Sequence, residues 1–241
     1  MKRVKFKFGL LGLLLGLFFC SYAVEIINKG YEEIFLAAEE YRLNKKGYRQ
    51  KEPFLSQKQL PIDLEGWCAP ARQKGIKKLI DEKDPQIIVE VGAWKGQTTV
   101  FFGINSSKTT KIYSIDLFGT PPLSLPNNFH ITDVDIHRIF ISNIKYFKLG
   151  SKIVSVSLDS ISAAYHLDIA PDLVYIDGDH SEDKVCEDIL SWHKKLSSEG
   201  VICGGSYRWP EGGVKRGTEK AAKILNAKVL VDVGFWRLIL K

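Results

Sequence analysis

The sequence predicts an α/β protein built on a doubly wound, mostly parallel sheet. Three observations predict it. From residue 70 onward, short apolar runs alternate with amphipathic stretches. Strands and helices that alternate along a chain pack as a parallel sheet covered on both faces. The first strong run, Ile87-Ile88-Val89-Glu90-Val91, stops abruptly at Gly92-Ala93-Trp94-Lys95-Gly96, the pattern of a buried strand that opens into a tight loop and then a helix. The last two runs, 228–233 and 235–240, flank Gly234 with almost no spacer, which reads as an antiparallel hairpin.

The elements follow in order. Residues 25–43 place Ile26, Ile27, Ile34, Phe35, Ala38 and Tyr41 among acids, as an amphipathic helix does. Residues 44–66 are polar and contain proline, a linker or a cap over the main domain. Pro70 suits the first turn of a helix running to Glu82. After the first strand and its loop, the pattern predicts a helix over 97–107 and a strand over 111–116. A long loop over 117–130 and a helix over 132–147 follow. Then come a strand over 152–157, a short helix to Leu167 and a strand over 173–177. A helix over 181–197, a strand over 200–204 and a helix over 213–225 precede the hairpin.

Size and composition narrow the function classes. A chain of 241 residues, 45% of them hydrophobic, can bury one good core. The net charge of +6 is mostly local: without residues 1–23, 30 basic and 28 acidic residues remain, a net charge of +2. The remaining basic pairs are scattered, so no nucleic-acid partner is expected. Beyond the first 23 residues only Cys68, Cys186 and Cys203 remain, with no Cys-x-x-Cys pair, which predicts buried free thiols rather than a disulfide framework.

Residues 1–23 read as a signal peptide or signal anchor. Lys2, Arg3, Lys5 and Lys7 precede a wholly apolar or glycine stretch from Phe8 to Cys20, and Ser21-Tyr22-Ala23 offers small residues for cleavage. The uncharged stretch Phe8–Val24 spans ~25 Å as a helix, short against a hydrocarbon core of about 30 Å. The expectation is an exported or membrane-attached body, with a cytoplasmic protein as the alternative. The sequence leaves open a homo-oligomer.

The strand ends carry the chemistry. In open α/β sheets, ligands sit at the carboxyl ends of strands, and glycine lets backbone approach a ligand closely. Asp116 closes the second strand 24 residues after Gly92, where a carboxylate can accept two ribose hydroxyls. A dinucleotide fingerprint starting at Gly92 would need glycine where Trp94 and Gln97 stand, which weakens a nicotinamide dehydrogenase. A P-loop would need a lysine that Gly96-Gln97-Thr98 lacks. The loop therefore suits a ligand without phosphates. Asp177-Gly178-Asp179-His180 gathers three ionisable groups at another strand end, with a helix N-cap as the competing role for Asp179 or Ser181.

Three stretches taken together resemble the class I S-adenosylmethionine-dependent methyltransferases. They are Glu90-Val91-Gly92-Ala93-Trp94-Lys95-Gly96, Ile112-Tyr113-Ser114-Ile115-Asp116, and Asp172-Leu173-Val174-Tyr175-Ile176-Asp177-Gly178-Asp179-His180-Ser181. The resemblance is to the branch whose fourth strand ends in Asp-Gly-Asp-His, and it covers roughly residues 66–241. It implies a Rossmann-like sheet of order 3-2-1-4-5-7-6 with the seventh strand antiparallel. It implies that Glu90, Gly92, Trp94 and Gly96 line the methionine end of the cofactor. Asp116 would hold the ribose, with Leu117 beside the adenine and Asp159 and Ser160 on the adenine side. Asp177 would lie beneath the transferable methyl, with His180 near a small-molecule acceptor, most simply an oxygen. Metal-dependent relatives carry an acid after the fifth strand, where this chain has Gly204-Gly205-Ser206-Tyr207. Ser206 is a poor Mg²⁺ ligand, so Asp177 and Asp179 alone would make a thin metal site. The absent acid also motivates a second reading, a non-catalytic module that keeps the nucleoside pocket. Gly66-Trp67-Cys68 is expected either to cover the substrate side or to pack on the first helix. The proline-rich loop 117–130 is the expected specificity element.

Overall fold

The computed structural model describes residues 54, 56–119, 136–232 and 234–240. The leader, the helix expected over 25–43, residues 44–53 and 55 of the linker and all but the first three residues of the proline-rich loop lie outside the described residues. Among those described, no helix is long and apolar enough to cross a membrane.

Seven strands form one sheet: β1 Ile87–Val91, β2 Lys111–Asp116, β3 Ile153–Ser157, β4 Leu173–Ile176, β5 Val201–Gly204, β6 Lys228–Asp232 and β7 Phe235–Ile239. Their order is β3-β2-β1-β4-β5-β7-β6. The pairs from β3 through β5 are parallel, while β7 runs antiparallel to both β5 and β6. This is the order that the resemblance implies, with the closing hairpin that the sequence pattern predicts. Among the described residues six helices accompany the strands: α1 Pro70–Lys83, α2 Gln97–Asn105, α3 Ile136–Tyr146, α4 Ser160–His166, α5 Glu182–His193 and α6 Gly213–Ile224.

The central strands are buried on both faces, so they read as apolar runs rather than alternating ones. Val89, Val91, Val174, Ile176 and Ile202 pack with Ala163, Val185, Ile189, Trp192 and Ala221 from the helices on one face. The opposite face meets α2, where Phe102 lies edge-on to Tyr175 at 5.5 Å. Cys68, Cys186 and Cys203 are free and buried, as expected.

Helix ends are set by local chemistry. Pro70 opens α1, and Asp84 closes it in the left-handed region at φ 40°. Asp159 caps α4 by accepting the Ser162 N–H at 3.0 Å. At the amino ends of the strands, Asp172 accepts the backbone N–H groups of Gln86 and Ile87. The first acid of the long third motif thus ties β1 to β4, at the edge remote from the glycine loop.

Candidate active site

The glycine loop is a backbone structure with few alternatives. Gly92 and Gly96 both adopt φ +89°, and Trp94 between them adopts φ 48°. A Cβ on Gly92 would overlap the carbonyl of Asp177, because β1 and β4 close tightly there. Gly96 is the N-cap of α2, and a Cβ on it would come within 3.0 Å of the Phe140 ring. A turn bond from Gly96 N–H to the Ala93 carbonyl at 2.8 Å closes the loop.

Asp116 sits across from this loop and grips it. One carboxylate oxygen accepts the Trp94 N–H at 2.8 Å; the other accepts the Phe118 N–H at 2.7 Å. Each oxygen has a further lone pair to offer, so the grip does not use up the carboxylate. Phe118, at φ 51°, stacks on His137 at 4.4 Å, and His137 is bonded to Ser155 of β3 at 2.7 Å. His137 is therefore half-buried on α3 and braces the end of β2. Leu117 projects outward and is 67% exposed.

Glu90 lies behind the loop, wholly buried. Its Oε2 accepts the hydroxyls of Thr99 and Ser114, and its Oε1 has no partner. Burial pushes this carboxyl up to about 8, against the opposing pull of the two hydroxyls. Ser160 turns toward α5, where its hydroxyl accepts the Trp192 indole N–H at 3.0 Å. Asp159 is occupied with capping α4.

The crest of β4 and β5 holds a second cluster, and its principal member was missed in the sequence. Arg72 of α1 reaches Asp177, with Nη1 donating to Oδ2 at 2.6 Å. Its Nη2 donates to the Ser206 hydroxyl at 3.2 Å, and Ser206 in turn donates to Asp177 Oδ1 at 2.9 Å. The Tyr175 hydroxyl also donates to Oδ2 at 3.3 Å. Burial alone would raise the Asp177 carboxyl, but His180, Arg72 and Ser206 together hold it below the usual carboxylate range. His180 Nε2 lies 3.6 Å from Asp177 Oδ1, and the imidazole meets Trp209 edge-on at 4.5 Å. Asp179 is spent differently: its Oδ1 accepts the Ser181 N–H at 2.7 Å in a turn ahead of α5, and the N-cap position itself falls to Ser181, which makes no side-chain capping bond. Gly205 explains how the guanidinium fits, since a Cβ there would stand 2.7 Å from Arg72 and from Asp177 Oδ1. The available signal was Gly204-Gly205 at the end of β5 together with a lone arginine in the first turn of α1.

The segment before α1 is fastened over the glycine loop. Lys95 is buried, and its ammonium binds Asp63 at 2.7 Å and Glu65 at 2.6 Å. Asn143 of α3 ties the carbonyls of Asp63 and Lys95 together. The Cys68 N–H donates to Gln97 at 2.7 Å. Trp67 packs on Trp94, ring centroids 6.3 Å apart.

Comparisons with known proteins agree with this geometry. A family model described as a methyltransferase domain matches residues 89–207. An O-methyltransferase from Bacillus cereus, solved in complex with SAH, superposes with a TM-score of 0.55 at 17% identity, covering 72% of this chain and 82% of that one. The O-methyltransferase TomG from Streptomyces achromogenes, solved with SAM, superposes at 0.55 with 14% identity over 80% and 92% of the two chains. The SAH-bound methyltransferase PaMTH1 of Podospora anserina gives 0.53 at 13% identity over 86% and 87%. A search of curated protein sequences returns no match. Residues 89–207 match a methyltransferase domain, and the sheet order around them is β3-β2-β1-β4-β5-β7-β6.

Proposed function

We propose that this protein transfers a methyl group from S-adenosylmethionine to an oxygen of a small molecule. The observation that carries the reading is the clasp of Asp116 on the Gly92–Gly96 loop, with the Trp94 N–H at 2.8 Å. It couples the end of β2 to the end of β1, so one nucleoside can span both. The residues suit that cofactor. The one lysine of the loop, Lys95, is already paired with Asp63 and Glu65 and is not offered to a phosphate, and a cationic group bound nearby would draw the buried Glu90 carboxyl toward its charged form.

S-adenosylmethionine supplies an electrophilic methyl on a cationic sulfur. Gly92, Trp94 and Gly96 would form the floor under its methionine end, with Glu90 behind them. Asp116 would hold the ribose hydroxyls through its remaining lone pairs, beside Leu117. Asp159 and Ser160 would border the adenine side by position rather than by free side chains. In-line displacement gains most from alignment of nucleophile and methyl, so rigidity at the crest is itself catalytic. For a hydroxyl acceptor, His180 is the general base, and Asp177 orients its imidazole and stabilises the charge that forms. The 3.6 Å spacing is an ion-pair distance that shortens once the ring is protonated.

Calorimetry with S-adenosylhomocysteine tests the cofactor. Turnover of methyl-labelled S-adenosylmethionine on a pool of small hydroxylated compounds tests the reaction. Binding with turnover supports the proposal, and binding without turnover on any acceptor favours a non-catalytic module. Absence of binding overturns both. We also propose that residues 1–23 direct the body to or across a membrane. Full-length protein recovered in soluble cytosol by fractionation would overturn this.

A further inference from the structure

We infer that Arg72 is a built-in cation that takes the place of a divalent metal at this site, and that it positions Asp177 for His180. The inference rests on the methyltransferase reading and concerns the same crest.

The donor set argues against a metal ion. Among the described residues, no three His, Cys, Asp or Glu side chains converge on a point. Asp177 is the one acid aimed at the cluster, and the guanidinium already lies on its Oδ2 at 2.6 Å. Its Oδ1 takes the Ser206 hydroxyl at 2.9 Å. Asp179, the other candidate ligand, is tied into its own turn by the Ser181 N–H. Ser206 is neutral and, after β5, stands where metal-dependent relatives carry an acid. A divalent ion prefers several carboxylate oxygens; here it would meet one carboxylate and a fixed positive charge.

The arginine is built in rather than incidental. Its side chain and that of Asp177 are only 11% and 13% exposed. The backbone of Gly205 leaves the flat space the guanidinium occupies, and the Trp236 indole pins that glycine by donating to its carbonyl at 2.9 Å. A planar fork that bonds Asp177 and Ser206 together sets the orientation of the carboxylate. The Oδ1 edge is thereby presented to His180. Arg72 is thus a positioning residue: it keeps Asp177 ionised and aimed, and it supplies the positive charge at the acceptor end of the site.

Mn²⁺ titration of the full-length protein, followed by calorimetry and thermal shift, tests this directly. Wild type is expected to show no saturable Mn²⁺ site that depends on Asp177. The double variant Arg72→Ala/Ser206→Asp vacates the guanidinium position and adds the acid, and it should gain a saturable site with a Tm rise of ~2 °C or more at millimolar Mn²⁺. Arg72→Lys, which restores a charge in the same place, should show no such gain. Far-UV circular dichroism establishes that each variant is folded; if the double variant is not, Arg72→Ser/Ser206→Asp replaces it. A wild-type Mn²⁺ site abolished by Asp177→Asn overturns the inference. So does a folded double variant that binds Mn²⁺ no better than wild type. Neither measurement needs the cofactor, so failure of the protein to bind S-adenosylhomocysteine would sink the proposed function without deciding this one.

Discussion

Arg72 and Asp177 lie 105 residues apart in sequence and form a 2.6 Å ion pair at the carboxyl edge of the sheet. The pair joins the helix preceding the first strand to the motif that ends the fourth. It converts a lone acid at a strand end into an oriented, ionised group. Removing one member leaves the other charged and buried, which typically costs ~3–5 kcal/mol. Arg72→Met should therefore destabilise the protein by about that amount in urea unfolding.

Asp177 should also contribute to acid sensitivity. Its folded carboxyl titrates below the unfolded value, so the unfolded chain takes up a proton first as pH falls. The stabilisation is complete above the ordinary carboxylate value of about 4, and it is lost as pH drops through the folded value. Asp177→Asn is expected to flatten that limb of the stability profile, measured by urea midpoints at successive pH values.

Glu90 has the opposite sign. Its carboxyl is pushed up to about 8 in the folded protein, so between the ordinary Glu value of ~4.3 and that point the native state holds the extra proton. Stability should fall as pH rises through this window. Glu90→Gln removes this titration and should flatten the profile from pH ~6 to ~8, above the range of buried Asp188, whose carboxyl is pushed up to about 6. An unchanged slope in Glu90→Gln would mean that another group carries the effect.

The clasp on the glycine loop makes a binding prediction. Asp116→Ala frees the backbone of Trp94 and Phe118 at once and removes the proposed ribose acceptor. Hydrogen bonds to a charged group are worth ~1.5–3 kcal/mol, so affinity for S-adenosylhomocysteine should drop by about 10-fold or more. Gly92→Ala should abolish binding, because the new methyl would collide with the Asp177 carbonyl in a backbone conformation that alanine resists. Calorimetry with the cofactor product reads both.

His180 should separate chemistry from binding. His180→Gln keeps the edge-on contact site beside Trp209 but removes the proposed base. Turnover is expected to fall by ~10²–10⁴, with S-adenosylhomocysteine affinity within about 3-fold of wild type. A loss of affinity equal to the loss of turnover would place His180 in the cofactor pocket instead.

Patterns within single elements carried the fold. The Ile87–Val91 run, the positions of Gly92 and Gly96, and the split around Gly234 depend on local periodicity and backbone freedom, both visible in a linear string. Asp116 could be placed near the glycine loop because crossovers bring neighbouring strand ends together. The roles of individual side chains were less visible. Nothing near Arg72 in the sequence says that Asp177 is its partner. Ser160 and Asp159 stand where the pattern puts them, yet their side chains serve Trp192 and a helix cap. Lys95, one residue from Trp94, is buried against Asp63 and Glu65 instead of reaching solvent.

The chain by itself therefore determined the strand and helix order, the glycine loop and the strand ends at which chemistry belongs, because those follow from hydrophobic period and local backbone geometry. Only the tertiary structure decided which charge faces which. The Arg72–Asp177–Ser206 cluster and the burial of Glu90 arise where α1, β1, β4 and β5 converge. A charge's partner, and so its protonation, depends on distance and burial in space rather than on separation along the chain.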